Sequence, residues 1–279
     1  MMKTINFGGS LISLAKPLLM GIINVSPDSF YKGSRKTGID EILFQTEDML
    51  ENGAAIIDIG AMSSKPGADI ISLEDELKRI IGPIKAIMDR FPDLILSVDT
   101  IRSQVAREAI ECGVSCINDI SGGNFDSEIM NVVANYQVPY IIMHMQGLPA
   151  DMQINPKYSD LVMEIMSFFT DKIRQARQAG INDIIIDPGF GFGKTIDHNY
   201  EIMHQFDVFQ IFDIPLLAGV SRKSMIWKVL GSDADHALNG TTALNMYLLT
   251  KGAKILRVHD VKEAAECIRL FELINSSDG

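Results

Sequence analysis

The chain has 279 residues, 47% of them hydrophobic and 22% charged, with a formal net charge of −11 and a sequence pI near 4.9. That composition is able to bury a sizeable core and excludes intrinsic disorder, while the acidic balance excludes a broad nucleic-acid footprint, which needs clustered Lys and Arg. The three cysteines (Cys112, Cys116, Cys267) form neither a disulfide framework nor a two-pair zinc pattern.

From the N-terminus onward, short apolar and β-branched runs fall at residues 18–25, 55–59, 94–98, 115–117, 140–143, 184–186, 216–220 and 254–258. Longer amphipathic segments lie between them at 41–51, 73–89, 103–111, 127–135, 160–179, 199–206, 238–249 and 263–273. In several of these, apolar residues recur at steps of three and four, as a half-buried helix requires. Strands that alternate with helices pair in parallel, and eight such units close a barrel. Gly53, Gly113, Gly180 and Gly252 each stand just before a strand, where a left-handed residue ends the preceding helix. No Pro/Ser-rich linker or charge block divides the chain, so the fold expected is α/β, a single-domain (β/α)8 TIM barrel over residues 1–279 with its core at about 17–273.

A doubly wound open sheet is the structural alternative, and the placement of polar residues bears on it. The C-terminal strand ends carry Asn24, Ser63 with Ser64, Asp99, Asn118 with Asp119, His144, Asp187, Ser221 with Arg222 and Lys223, and Arg257 with His259. Barrel enzymes build their sites on that rim, whereas an open sheet concentrates polarity at one switch point. No segment approaches the roughly 20 apolar residues that span a bilayer, and the start lacks the regions of a signal peptide. No membrane association and a cytoplasmic address are therefore expected, with Cys112 and Cys116 as reduced core residues.

The run from Asp187 to Thr195 (Asp-Pro-Gly-Phe-Gly-Phe-Gly-Lys-Thr) has Pro188 where a phosphate loop needs its first glycine, so a nucleotide loop is rejected. Its alternate glycines admit a flat ligand close to the backbone, and Asp187 suits two parallel hydrogen bonds from an amino-pyrimidinone edge. The plain alternative is a strand-ending turn. Ser221-Arg222-Lys223-Ser224 and Arg257-Val258-His259 bring cations to one rim, Arg257 and His259 on one strand face, in a pattern that suits a diphosphate. The alternative is a set of rim charges paired with Asp213 or Asp260. His144, between Met143 and Met145, reads as a packed, hydrogen-bonded histidine before a ligand or acid/base.

Six segments together carry a resemblance: the decapeptide from Gly21 to Phe30, Val98-Asp99-Thr100, the heptapeptide from Ile117 to Gly123, the run from Asp187 to Lys194, Ser221 to Ser224, and Arg257 to Val261. In order and spacing they resemble the dihydropteroate synthase family over about residues 17–273. The resemblance implies a transferase that joins a dihydropterin methyl diphosphate to 4-aminobenzoate with loss of pyrophosphate. It also implies Mg²⁺ near Asn24, a homodimer built on late helices, and small-molecule partners only. Asp99, Asn118 and Asp187 are implied to line the pterin edge, Lys223 to reach its carbonyl and ring nitrogen, and Arg257 to stack on its face and, with His259, hold diphosphate oxygens. Ser221 and Ser64 are implied to help bind substrate, Phe192 and Pro66 to border the 4-aminobenzoate ring, and Met143 to floor the pocket. The catalytic set expected is Asp99, Lys223, Arg257 and His259.

Two departures fall in loops, at residues 26–38 and 61–71, which the resemblance implies close over the site. The family reads Gly-Gly-Glu-Ser-Thr-Arg-Pro-Gly where this chain has Gly60-Ala61-Met62-Ser63-Ser64-Lys65-Pro66-Gly67, so Lys65 replaces a guanidinium fork by a point charge. Tyr31-Lys32-Gly33-Ser34-Arg35-Lys36 replaces the usual Ser-Asp-Gly-Gly and adds cations. Rival readings are a folate-linked corrinoid methyltransferase, which gives the rim cations no leaving group to hold, a catalytically silent pterin-binding paralogue, and a phosphate-sugar aldolase, which would want a Schiff-base lysine buried in the barrel, whereas Lys254 opens a strand rather than ending it.

Overall fold

The computed structural model describes residues 4–25, 35–62, 70–147, 152 and 155–275, with the side chains of 35–37 left aside. Ser64, Lys65 and Pro66, and most of the first loop, lie outside the described residues. A hairpin comes first, β1 (Thr4–Phe7) and β2 (Ser10–Ser13). The barrel strands follow: β3 (Leu18–Asn24), β4 (Ile56–Gly60), β5 (Ile95–Asp99), β6 (Cys116–Asp119), β7 (Tyr140–Met143), β8 (Ile184–Asp187), β9 (Leu217–Ala218) and β10 (Ile255–Val258). All eight pair in parallel in the order β8-β7-β6-β5-β4-β3-β10-β9. The ring closes between the outer two through a parallel bridge of Ile186 with Leu216, where Ile186 N–H donates to the Pro215 carbonyl at 3.0 Å. The expected barrel is the observed fold.

The strands' alternating side chains separate into two apolar layers. Leu19, Ile57, Leu96, Ile117, Ile142, Ile186 and Val258 point outward and pack under the helices. Those helices are α1 (Arg35–Glu51), α2 (Leu73–Arg90), α3 (Ser103–Glu111), α4 (Ile129–Tyr136), α5 (Leu161–Ala179), α6 (Ile196–His204), a short α7 (Ser224–Trp227), α8 (Leu238–Thr250) and α9 (Val261–Asn275). Ser72, Asp160 and Thr195 cap α2, α5 and α6 by accepting from Asp75, Met163 and His198 N–H. The four predicted exit glycines all lie at φ between +97° and +103°. No helix among the described residues is long and apolar enough to cross a membrane.

The inward layer at the N-terminal end of the barrel consists of Met20, Ile56, Cys116, Ile141, Ile185, Leu217 and Ile255. The hairpin plugs this end with Ile5 and Phe7, and Asn6 N–H donates to Asp183 Oδ1 at 3.3 Å. Sequence periodicity did not reveal the hairpin. Its role predicts a separation of stability from activity. Ile5 is fully buried, so Ile5→Ala should lower unfolding free energy by roughly 2–5 kcal/mol, the cost of a cavity at such a site. Urea denaturation should register this while turnover of the folded protein stays unchanged, because the opposite end of the barrel carries the polar groups.

Candidate active site

At the C-terminal mouth the strand register brings the expected residues together. Inward positions on β4 and β5 pair as Asp58 with Ser97 and Gly60 with Asp99, and on β5 and β6 as Asp99 with Asn118. Arg257 reaches across from β10. Its Nε donates to Asp58 Oδ2 at 2.7 Å and its Nη2 to Asp99 Oδ2 at 2.8 Å. Asn118 Nδ2 donates to the same Asp58 oxygen at 2.9 Å. One guanidinium is thus set between two buried carboxylates, its plane fixed by two bonds.

The strand-end reading missed Asp58. It lies mid-strand in Ile-Ile-Asp-Ile-Gly and is fully buried. The signal was its parity: two residues before Gly60 and two after Ile56, it shares their inward face. An ionisable group at such a place requires a buried partner.

Burial raises Asp99, to about 7; the Arg257 charge opposes this and Asp58 adds to it. Burial also raises Asp187, against the pull of Lys223. Asp187 Oδ1 accepts from Gly189 N–H at 2.8 Å, so the turn after β8 orients the carboxylate. Lys223, lowered to about 8 by burial, stands 4.4 Å from the centre of the Phe192 ring and donates to the Phe190 carbonyl. Ser221 Oγ lies 3.1 Å from His259 Nδ1 and accepts from His259 N–H at 3.2 Å. Desolvation at the mouth lowers His259, to about 4, and Arg257 adds to the effect, so the ring is neutral at pH 7. Ser221 Oγ and Nδ1 share a hydrogen bond whose direction follows the tautomer of the neutral ring.

Met143 and Phe192 meet in one apolar ledge with Met62, Ile101, Ile120 and Met152. Asn24 stands exposed at the end of β3. Arg222 departs from the cationic set. It takes φ +55° and forms a bidentate pair with Asp260 at 2.9 and 2.6 Å, as the alternative reading of rim charges had it. His144 is the packed histidine expected, buried beside Lys194 and Phe168 and lowered to about 2 by burial and then by Lys194.

The mouth therefore has a carboxylate and amide wall, a cationic wall and an apolar ledge, the arrangement that suits a flat heterocycle bearing an anionic tail. Comparison with known proteins agrees with that geometry. The pterin binding enzyme family model matches residues 20–259. Dihydropteroate synthase of Escherichia coli K12 is 40% identical over 266 residues, covering 95% of this chain and 94% of that protein. The crystal structure of Yersinia pestis dihydropteroate synthase with a sulfonamide drug superposes at a TM-score of 0.92 with 38% identity, covering 98% of this chain and all of that one. The Xanthomonas albilineans enzyme with 4-aminobenzoic acid gives 0.91 and 33%, covering 99% of each chain. A barrel with this mouth, matched over nearly its whole length at such identity, belongs to the pterin-binding enzyme family and, within it, to the dihydropteroate synthases.

Proposed function

We propose that the chain joins 6-hydroxymethyl-7,8-dihydropterin diphosphate to 4-aminobenzoate, forming 7,8-dihydropteroate and pyrophosphate, and that the residues converging on the mouth carry the reaction. The observation that carries this reading is the Asp58–Arg257–Asp99 array beside Asn118. Asn118 and Asp187 pair with the polar edge of the pterin, Lys223 with its carbonyl and ring nitrogen, and the Arg257 plane with its face. Met143 floors the ring. Phe192 and Pro66 border the arylamine, and Ser221, with Ser64, helps bind its carboxylate. Residues 1–279 act as one pterin-binding unit.

An aromatic amine is neutral at pH 7 and needs no strong base to become a nucleophile. The demanding event is cleavage of the methylene carbon–oxygen bond, where negative charge grows on the departing diphosphate and positive charge on the pterin. Arg257, His259 and Lys65 stabilise the first, and the Asp99 carboxylate the second. The amine nitrogen then bonds to the methylene carbon and gives up its proton.

Among the described residues no group of three His, Cys, Asp or Glu could hold a metal ion. Asn24 offers a single hard oxygen at the mouth, a donor set that fits Mg²⁺, an ion that keeps most of its ligands as water and phosphate oxygens. When bound, Mg²⁺ supplies further neutralisation of the leaving diphosphate. A homodimer on the late helices is supported by exposed Tyr247 on α8 and Leu270 and Ile274 on α9, and sedimentation as a monomer at micromolar concentration would remove it. A cytoplasmic address agrees with Cys112, Cys116 and Cys267 being unpaired thiols.

The test is pyrophosphate release from the dihydropterin diphosphate with Mg²⁺ present. Release that depends on 4-aminobenzoate is expected; tight pterin binding without release would instead identify a silent paralogue. The pH dependence is also fixed by the site. Asp99 must be ionised, so kcat/KM for the pterin diphosphate is lost as pH falls through about 7. Lys223 must be charged, so activity is lost again as pH rises through about 8. In Lys223→Arg the alkaline limb should move beyond the measurable range, since a guanidinium stays protonated. An alkaline limb left in place would remove Lys223 from the assignment.

A further inference from the structure

The turn after β8 holds a buried lysine amine that the proposed chemistry does not use. Lys194 is 2% exposed. Its Nζ lies 2.9 Å from the Gly189 carbonyl oxygen, 3.0 Å from that of Phe192, 3.2 Å from that of His144 and 3.0 Å from His144 Nδ1. Gly189 and Phe192 belong to the turn, and His144 follows β7. The amine therefore bridges two backbone segments and supplies a donor to three of their carbonyl oxygens at once, polar groups that are costly to bury unpaired.

The segments are pressed together. A Cβ on Gly189 would run into the His144 carbonyl, and one on Gly193 into the Gln146 backbone. Two further bonds tie the turn from outside: Gly191 N–H donates to Asn199 Oδ1 at 2.6 Å, and the Tyr158 hydroxyl to the Gly193 carbonyl at 2.8 Å. On its inner side the turn presents the Phe190 carbonyl and the Phe192 ring to Lys223.

We propose that Lys194 is a positioning residue for the arylamine: by pinning the 189–192 turn to the end of β7, it fixes the Phe192 wall of the arylamine pocket. This inference rests on the reading of Phe192 given above. The pterin depends on the turn less than the arylamine does: Asp99 and Asn118 stand on strands clear of it, while Asp187 and Lys223 each keep one bond to it, through Gly189 N–H and the Phe190 carbonyl. A purely structural lysine would, when lost, weaken both substrates alike.

The experiment uses the full chain carrying Lys194→Met, with KM for 4-aminobenzoate taken from pyrophosphate release and Kd for the dihydropterin diphosphate from calorimetry. KM should rise about tenfold or more while the pterin Kd stays within about threefold, the split expected when only one partner is misplaced. Equal rises, or no rise in KM, overturn the proposal. In a double-mutant cycle, Phe192→Leu added to Lys194→Met should change KM by less than about twofold further, because both act through one wall; full additivity overturns it. A raised KM in Phe192→Leu with none in Lys194→Met rejects Lys194 alone, whereas an unchanged KM in Phe192→Leu rejects the pocket assignment beneath it. Lys194→Gln, which keeps two N–H donors, carries the same test where methionine prevents folding, with the same split expected and equal shifts again decisive against it.

Discussion

Asp99→Asn should lower kcat by about 10²–10³, the range for removing one preorganised electrostatic group, while the pterin Kd changes by less than about tenfold. Asparagine keeps the shape and one acceptor oxygen, so the contact with the bound pterin largely survives. What disappears is the negative charge that faces the cation formed as the diphosphate leaves. The site is built to make that charge count. Asp99 is buried, and its Oδ2 is oriented by Arg257 at 2.8 Å. Single-turnover kinetics together with calorimetry separate the two quantities. Equal losses in rate and affinity would make Asp99 a binding residue only.

The second large effect belongs to Asp58→Asn. Asp58 Oδ2 accepts from both Arg257 and Asn118, so its neutralisation disturbs at once two groups proposed to face the pterin. Arg257 then keeps only Asp99 as a buried counter-charge, and losing one of its two partners should cost about 3 kcal/mol, the lower end of the range for breaking a buried pair. Chemical denaturation should show a stability loss of that order. The functional consequence is larger than Asp58's distance from substrate suggests, because a guanidinium displaced by about 1 Å loses on the order of 100-fold in a reaction that depends on its position. Pterin affinity and kcat should both fall, in contrast with Asp99→Asn. Combining Asp58→Asn with Asp99→Asn and Arg257→Met should recover much of the lost stability, since no charge of the array is then stranded, while activity stays absent. A triple variant as unstable as Asp58→Asn alone would mean that Asp58 acts through something other than Arg257.

These two carboxylates also mark how far the sequence could be read. Asp99 ends a strand, and strand ends at one rim are where a barrel exposes functional groups, so its place at the mouth was legible together with those of Asn118, Asp187 and Arg257. Asp58 sits one inward layer deeper, where periodicity reports only that a residue faces the interior, and its partner is 199 positions away in the chain. The barrel itself was legible because buried parallel strands read as unbroken β-branched runs, set between helices with glycine exits. The hairpin was not, because strands of four residues joined through Gly8-Gly9 are too short for alternation to register. The run at 216–220 shrinks to a two-residue ladder, Leu217–Ala218. Beyond it the backbone leaves the sheet toward the turn that sets Ser221 against His259 and Lys223 against Phe192, and chain order alone does not encode that divergence.

The most direct measurement is a crystal structure of the protein with the dihydropterin diphosphate bound. It should show Asn118 and Asp187 within hydrogen-bonding distance of the pyrimidine edge, the Arg257 plane against the ring, and the diphosphate on the side of His259. A pterin seated elsewhere, or one that leaves Asn118, Asp187 and Arg257 on separate surfaces, would contradict the account.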